Sequence, residues 1–524
     1  MSCGISIGVV GGGAAAVCLI DALARSGGAV GSLTVFEPSP RLWRGRAYQV
    51  DTETLRVNST AEDMSVRAGD PGHFTRWLAA REQTTTTTGT GTGTGTGVGA
   101  GPERPGGARF VPRPVYGDYL EESAYAALAV LRRRGWRVGV VGEAVTSAAR
   151  LPHQVLLGTG PEGAATRAFD YVVLSVGGDS PRDVYGLTGA PGFVADPYPL
   201  AATVDGIGVQ EHVAVIGSGL TAVDVVLALT AGGHRGRVSL LSRRGVLPGV
   251  RQQPAPLTLR HMTPARIRAA ASGRRELGIE DVAAVLRAEF RAAGADLDAV
   301  VEEIVRVDLE DPAERLRRQI GEVDSPQLGL RILQRAVPET GPDVWPLLRE
   351  QDKVQLLRAH YRTLMSLCCP MPPASAAVLL QQVHTGRLEM YCGLLDIIPA
   401  DGGGFDALAA DGSDIHADRV ISAVNASEGR IPAGARAVVD SLLRARAVTR
   451  HPHGGLQLAR ATSRLTSNGR PDPRLYGLGD IAAGALFFTF GIPSLVDRSH
   501  DIVTAIHDHH TTVAAARPTA AAAA

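Results

Sequence analysis

Two stretches of the chain place small residues at the spacing that brings a phosphate against a helix end. In the first, ISIGVVGGGAAAVCLIDALA, a β-branched run enters Gly11, Gly12, Gly13, Ala14, Ala15 and Ala16, then an apolar helical pattern. Gly11 permits a tight turn, Gly13 lets a pyrophosphate approach the backbone, and Ala16 lets the helix pack close to the strand. The helix N-terminus then faces the phosphates. The second stretch, EHVAVIGSGLTAVDVVLALT, repeats the pattern with Gly217, Ser218, Gly219, Leu220, Thr221 and Ala222. Each helix leads to a further strand. SLTVFEP ends in Glu37, and VSLLSRRG ends in Ser242, Arg243 and Arg244. Glu37 lies 26 residues after Gly11, and Arg243 lies 26 residues after Gly217. By this count a guanidinium takes the place of a carboxylate. A carboxylate accepts hydrogen bonds from ribose hydroxyls and repels a 2′-phosphate, whereas Ser242, Arg243 and Arg244 would hold that phosphate. The first site is therefore expected to take FAD and the second NADPH. The alternative for the arginine pair is two solvated side chains at a strand end.

Two later segments fit the same plan. AFDYVVLSVGGDS is a strand running into Gly177, and DPRLYGLGDIAAG is a strand running into Gly479 and Asp480. Both resemble later motifs of two-dinucleotide flavoproteins of the glutathione-reductase type. That resemblance implies contact between Asp480 and the ribityl chain of FAD; a helix N-cap is its other reading. The motif order predicts an α/β fold with two Rossmann-like domains, the NADPH domain being inserted in a discontinuous FAD domain. The expected boundaries are 1–205 and 385–513 for the FAD domain and 206–384 for the NADPH domain. A helical insertion is expected at about 260–371, where patterns such as DVAAVLRAEFRAAGADLDAVVEEIV recur. The threonine- and glycine-rich stretch 84–107 reads as a disordered loop and 514–524 as a disordered tail.

Composition narrows the function. The 524 residues carry 53 Lys and Arg against 53 Asp and Glu, a net charge of zero, which argues against a nucleic-acid partner. The five cysteines are odd in number and lack CxxC spacing, so a reducing, cytoplasmic setting is expected. The N-terminus lacks a basic leader, and no apolar run is long enough to span a membrane. The HDHH stretch at His507–His510 reads either as metal ligands or as the last turn of a helix, where the dipole favours histidine. No metal site is expected.

A longer pattern carries a closer resemblance. GRAYQVDTETLRVNSTAEDMSVRAGDPGHFTRWLA and RFVPRPVYGDYLEE contain G-x-A-Y, an Asn followed by a Met, F-x-x-W-L and P-R-x-x-Y-G-x-Y-L. The carriers are Gly45, Ala47, Tyr48, Asn58, Met64, Phe74, Trp77, Leu78, Pro112, Arg113, Tyr116, Gly117, Tyr119 and Leu120, with DVWPLL further on. Together they resemble a family of FAD- and NADPH-binding monooxygenases. Its members include amino-acid N-hydroxylases such as the nitrosuccinate-forming L-aspartate N-monooxygenases. The chain has no FxGxxxHxxx(W/Y) match, and it has VLSVGG and ISAVNAS where lysine and ornithine N-hydroxylases end in an ATGY-type motif.

The resemblance implies NADPH-driven N-hydroxylation of a small amino acid by dioxygen, with L-aspartate first among substrates and a role in natural-product biosynthesis. It places Asn58 beside the flavin ring as the catalytic candidate and Met64 in the cofactor site. An amino-acid carboxylate needs a cation, best supplied by the arginine fork. Arg113 and Arg362 are the substrate candidates and Arg46 a cofactor or substrate candidate, each with a structural or cofactor-phosphate role as its other reading. Phe487, Phe488 and Phe490 read as a flavin wall or ordinary core. Two rival functions stay open: an NADPH-dependent flavin oxidoreductase that makes no oxygenated product, and a non-catalytic flavoprotein scaffold. Adjacent Cys368 and Cys369 make poor dithiol candidates for disulfide exchange.

Overall fold

A computed structural model describes residues 4–87, 109–274, 276–424 and 431–516. Continuous β-branched runs such as ISIGVV and VAVI suit strands covered on both faces, and they form the centres of two sheets. The first sheet has the order Leu458–Ala459, Arg464–Ser467, Arg470–Gly477, Tyr171–Leu174, Ile5–Val10, Gly31–Phe36, Arg137–Val141. Its neighbours from Arg470–Gly477 onward run parallel, and the two outer strands are antiparallel. The second sheet is wholly parallel, in the order Leu388–Cys392, Val238–Ser242, Val213–Ile216, Arg419–Ser422, Phe193–Val194. Each unit also carries a three-stranded antiparallel meander, Val145–Arg150 to Ala165–Phe169 in the first and Leu394–Pro399 to Asp414–Ala417 in the second.

Strand pairing moves the expected domain boundaries. The second unit is not confined to 206–384, because Phe193–Val194, Leu388–Cys392 and Arg419–Ser422 complete its sheet. Arg419–Ser422 pairs with Val213–Ile216 just as Tyr171–Leu174 pairs with Ile5–Val10. The first unit therefore resumes after residue 424 rather than at 385. The helical insertion falls near its expected place, from the helix Pro264–Ala270 to the helix Tyr361–Cys368.

Both units are interrupted at the same crossover. Residues 37–136 separate the second and third parallel strands of the first unit, and residues 243–387 separate those of the second. The first interruption holds the helices His73–Thr87 and Arg113–Arg133. Its motif residues pack as an aromatic cluster, with Phe74 centred 4.5 Å from Tyr119 and 5.0 Å from Tyr116. The second interruption rests on the first unit through Trp345. This ring stacks on Phe487 at 4.7 Å and donates Nε1–H to the Gly484 carbonyl at 2.8 Å.

Two disorder expectations change. Residues 84–87 continue the helix His73–Thr87, and the rest of the 84–107 stretch lies outside the described residues. The last helix runs Ile492–Ala516, so 514–516 are helical, and 517–524 lie outside the described residues. Its histidines have protein partners: His507 Nε2 meets Ser26 Oγ at 3.0 Å, and His509 Nδ1 meets the Tyr171 hydroxyl at 3.0 Å. Among the described residues no His, Cys, Asp and Glu cluster fits a metal ion. Nor does any described helix have the length and apolarity to cross a membrane.

Candidate dinucleotide and substrate sites

The two glycine turns close in the same way. Gly11 (φ +104) and Gly217 (φ +121) hold conformations that favour glycine, and each leaves no room for a side chain. A Cβ on Gly11 would collide with the Ser175 carbonyl oxygen, and one on Gly217 would stand 2.9 Å from that of Ala423. Gly13 and Gly219 then cap the helices Ala14–Arg25 and Leu220–Ala231 without any side-chain hydrogen bond. Neither cap thus has a side chain to cover the helix N-terminus, where an anion can approach. Ala14, Ala15, Leu220 and Thr221 form the first turns, while Ala16 and Ala222 are fully buried against the strands.

The first turn converges with residues far away in sequence. Gly12 N–H donates to Glu37 Oε2 at 2.7 Å, and Ser39 N–H donates to Glu37 Oε1 at 2.9 Å. Ser175 Oγ donates to the Gly11 carbonyl at 3.0 Å. Gly177 (φ +69) follows, and a Cβ on Gly178 would lie 2.7 Å from Asp480 Oδ2. Gly479 (φ +79) stands against the Ala15 side chain. Asp480 lies in the first turn of the short 3-10 segment Gly479–Ala482, whose N-cap position is held by Leu478 rather than by Asp480. Burial raises its carboxyl above the usual range, and no cation or donor partner offsets this among the described residues. An unpaired, half-buried carboxyl beside Gly178 fits the hydroxyl-rich linker of FAD, which supplies donors.

The second turn corrects the residue count. Gly11 N–H donates to the Phe36 carbonyl at 2.9 Å, and Gly217 N–H donates to that of Leu241 at 2.8 Å. The strand registers agree, Val10 facing Phe36 and Ile216 facing Leu241. Ser242, not Arg243, therefore occupies the place of Glu37. The path from Gly217 to Leu241 is one residue shorter than the path from Gly11 to Phe36, which shifts an equal count by one. The change of sign survives. A neutral hydroxyl replaces the carboxylate, and two exposed arginines follow. Ser242 Oγ accepts from Gly245 N–H at 2.8 Å, and Ser218 Oγ donates to the Val246 carbonyl at 2.8 Å. Arg244 pairs with Asp308 at 2.7 Å, while Arg243 has no ion-pair partner among the described residues.

The arginines proposed for substrate or cofactor lie apart. Arg113 is not open to a ligand carboxylate, because its guanidinium pairs with Asp224 at 2.8 Å and its Nε donates to the Arg56 carbonyl at 3.1 Å. Burial works against its charge, but the Asp224 carboxylate and Tyr198 hold it above its ordinary value. Asp224 lies on the helix Leu220–Ala231, so this buried pair joins the two units. Arg46 pairs with Asp196 at 2.7 Å, and Arg362 is exposed on the helix Tyr361–Cys368. Met64 is buried, its carbonyl accepting from the Tyr116 hydroxyl at 2.8 Å.

Asn58 is half-buried in the first interruption. Its carbonyl accepts from Arg251 Nε, in the second interruption, at 2.8 Å. Arg251 was missed in the sequence reading. Its signal was a charge without local opposition, since no acidic residue occurs between Asp224 and Glu276. Among the flavin-wall candidates, Phe487 and Phe488 are buried, while Phe490 is exposed and centred 4.5 Å from Phe488.

Two glycine turns of this kind, each following a parallel strand of its own sheet, define the two-dinucleotide-binding flavoprotein fold. Residues 8–179 match a family described as FAD-NAD(P)-binding. Solved structures with the same fold span nearly the whole chain. The ornithine N-hydroxylase of Kutzneria sp. 744, with reduced FAD, NADP+ and L-ornithine, has a TM-score of 0.57 and 14% identity, covering 97% of this chain and 99% of its own. The ornithine hydroxylase of Pseudomonas aeruginosa has a TM-score of 0.56 and 15% identity, covering 96% and 99%. A flavin monooxygenase from Stenotrophomonas maltophilia has a TM-score of 0.50 and 12% identity, covering 96% and 98%. No curated protein matches the chain in sequence.

Proposed function

We propose that this chain is an FAD-containing, NADPH-dependent monooxygenase that hydroxylates the amine of a small amino acid, with L-aspartate the first candidate and natural-product biosynthesis the setting. The observation that carries the reading is the pairing, in one chain, of a glycine turn whose next strand leads into Glu37 with a glycine turn whose next strand leads into Ser242 and Arg243. The first turn suits an unphosphorylated adenosine ribose and the second a ribose 2′-phosphate. When bound, the two cofactors supply a hydride and an oxygen-activating flavin. The chain's own part is to bind, orient and exclude water. Glu37 accepts from ribose, Asp480 accepts from the flavin linker, and Arg243 meets the phosphate. Asn58 offers a carboxamide with no hydrogen-bond partner among the described residues, at the edge between the two interruptions.

The cysteines favour an oxygen acceptor over a disulfide. No disulfide joins the described cysteines, and burial pushes the Cys368 thiol well above its ordinary value, which keeps it protonated and a poor nucleophile. Unbridged cysteines also support a cytoplasmic setting.

The test is mass spectrometry of reactions with a panel of amino acids under isotope-labelled dioxygen. An N-hydroxy or nitro product carrying the label is expected, from L-aspartate first. NADPH consumption that yields only hydrogen peroxide across the panel would establish the plain oxidoreductase, and no NADPH consumption at all the scaffold. Asn58→Ala should lower the ratio of hydroxylated product to hydrogen peroxide while flavin content holds. An unchanged ratio removes Asn58 from the chemistry.

A further inference from the structure

The two interruptions meet at a cation that lacks an anion. The Arg251 backbone is held firmly. Its N–H donates to the Met371 carbonyl at 2.9 Å, Gly249 N–H donates to the Ser366 carbonyl at 2.8 Å, and Val250 N–H donates to Gln319 Oε1 at 3.0 Å. The guanidinium then reaches across to the first interruption, giving Nε–H to the Asn58 carbonyl at 2.8 Å. Nη1 has a long contact of 3.4 Å to Gln334 Oε1. Arginine has five N–H donors, so most of this fork is unused by the described residues.

A mostly buried charge of this kind calls for a counter-ion. No carboxylate lies within ion-pair distance among the described residues. The titratable groups that face it are Asp63, Cys369 and Cys368. Asp63 accepts from Thr60 Oγ1 at 3.0 Å instead. The Cys368 thiol is buried and stays neutral. Desolvation consequently depresses the Arg251 guanidinium, with these neighbours offsetting it only in part. The helix Gly329–Val344 carries Gln334 and also packs Gly341 against Phe488. Arg251 therefore lies between Asn58 and a helix whose far end packs on Phe488.

We propose that Arg251 receives the carboxylate of the substrate, so that the amine beside that carboxylate lies next to Asn58. The ligand class is a small amino acid or other carboxylate, read by a bidentate fork. A phosphate of the nicotinamide cofactor is the other anion at hand. The carboxylate is favoured because the fork touches the first interruption rather than the Gly217–Gly219 turn. The inference rests on the monooxygenase reading for where the substrate must come.

Calorimetric titration of the flavin-loaded protein tests it. L-aspartate, L-ornithine and succinate serve as probes, with succinamide as the uncharged control and NADPH as the second arm. R251Q should weaken the carboxylate that binds best by about 10- to 100-fold, leaving NADPH affinity and flavin content in place. R251K, which keeps the charge and loses the fork, should fall between. Equal carboxylate affinity in wild type and R251Q overturns the proposal, as does a loss confined to NADPH or a wild type that binds none of the probes. Should R251Q fail to retain flavin, R251K decides, unchanged carboxylate affinity being the refuting result. Arg251-dependent binding without any oxygenated product would refute the monooxygenase reading alone. Product formation with carboxylate affinity untouched in R251Q would refute this inference alone.

Discussion

The two dinucleotide units share a backbone and differ in charge. They match from strand to glycine turn to helix, with Ala16 and Ala222 alike fully buried beneath the turn. They part at two equivalent places. At the end of the second strand the first unit has Glu37 and the second has Ser242 followed by Arg243. On the helix, Cys18 lies where the second unit has Asp224. Cys18 is a buried thiol whose pKa is raised mainly by burial, so it behaves as a small apolar residue. Asp224 is a buried carboxylate that answers Arg113 across the domain junction. One backbone thus carries two charge patterns, and on the proposed reading these divide the two nucleotides between the units.

The sharpest break between the units should come from their turns. Gly13→Val places a side chain against Gly45, whose Cα would lie 3.2 Å from the new Cβ. Purified protein should then be colourless. Gly219→Val should instead retain flavin and lose its reduction by NADPH. Absorbance and stopped-flow reduction separate the two outcomes, and a yellow Gly13→Val protein would move FAD out of the first unit.

The helix positions come next in size. Asp224→Cys copies the first unit into the second and strands the Arg113 charge, at a cost of about 3–5 kcal/mol. Adding Arg113→Met should recover most of that loss, and a denaturation double-mutant cycle would measure the coupling. Additive effects would show that the pair does not join the domains.

At the strand end, Arg243→Ala should narrow the NADPH over NADH preference by about 10- to 150-fold, one charged contact being about 1.5–3 kcal/mol. Arg244→Ala should do less, because Arg244 is tied to Asp308. Ser242→Glu, which restores the carboxylate of the first unit, should impair NADPH more than NADH. Ratios of kcat/KM check all three, and a preference that survives Arg243→Ala leaves that residue a solvated strand end.

The smallest effect concerns Asp480. Burial raises its pKa, so the folded protein holds the proton more tightly than the unfolded chain. The flavin-free protein should therefore lose stability as pH rises from the ordinary carboxylate value through the raised one. Asp480→Asn should flatten that part of the Tm profile and weaken FAD binding.

Much of this plan is legible in the sequence because glycine turns and buried strands are local signals. The pattern at Gly11–Ala16 and the strand before Asp480 need no knowledge of their partners. Boundaries and register do depend on partners. Phe193–Val194 is too short to carry a periodic pattern, so only pairing with Arg419–Ser422 assigns it to the second sheet. The one-residue shift at Ser242 arises in a surface connector, where length is weakly constrained. Arg113 carries a motif resemblance whose role emerges only when Asp224 comes to meet it. Arg251 lies 193 residues from Asn58, a distance no local pattern spans.

The first sheet needs Arg470–Gly477 beside Tyr171–Leu174, and everything between them belongs largely to the other unit. During synthesis the second sheet has all its strands once Ser422 has emerged, while the first waits until Gly477 has been made. Domains that fold as they emerge would complete in the reverse of their sequence order here. On the proposed placement of FAD, its capture then becomes a step that waits for the Gly479–Asp480 segment, closed to any chain truncated before it.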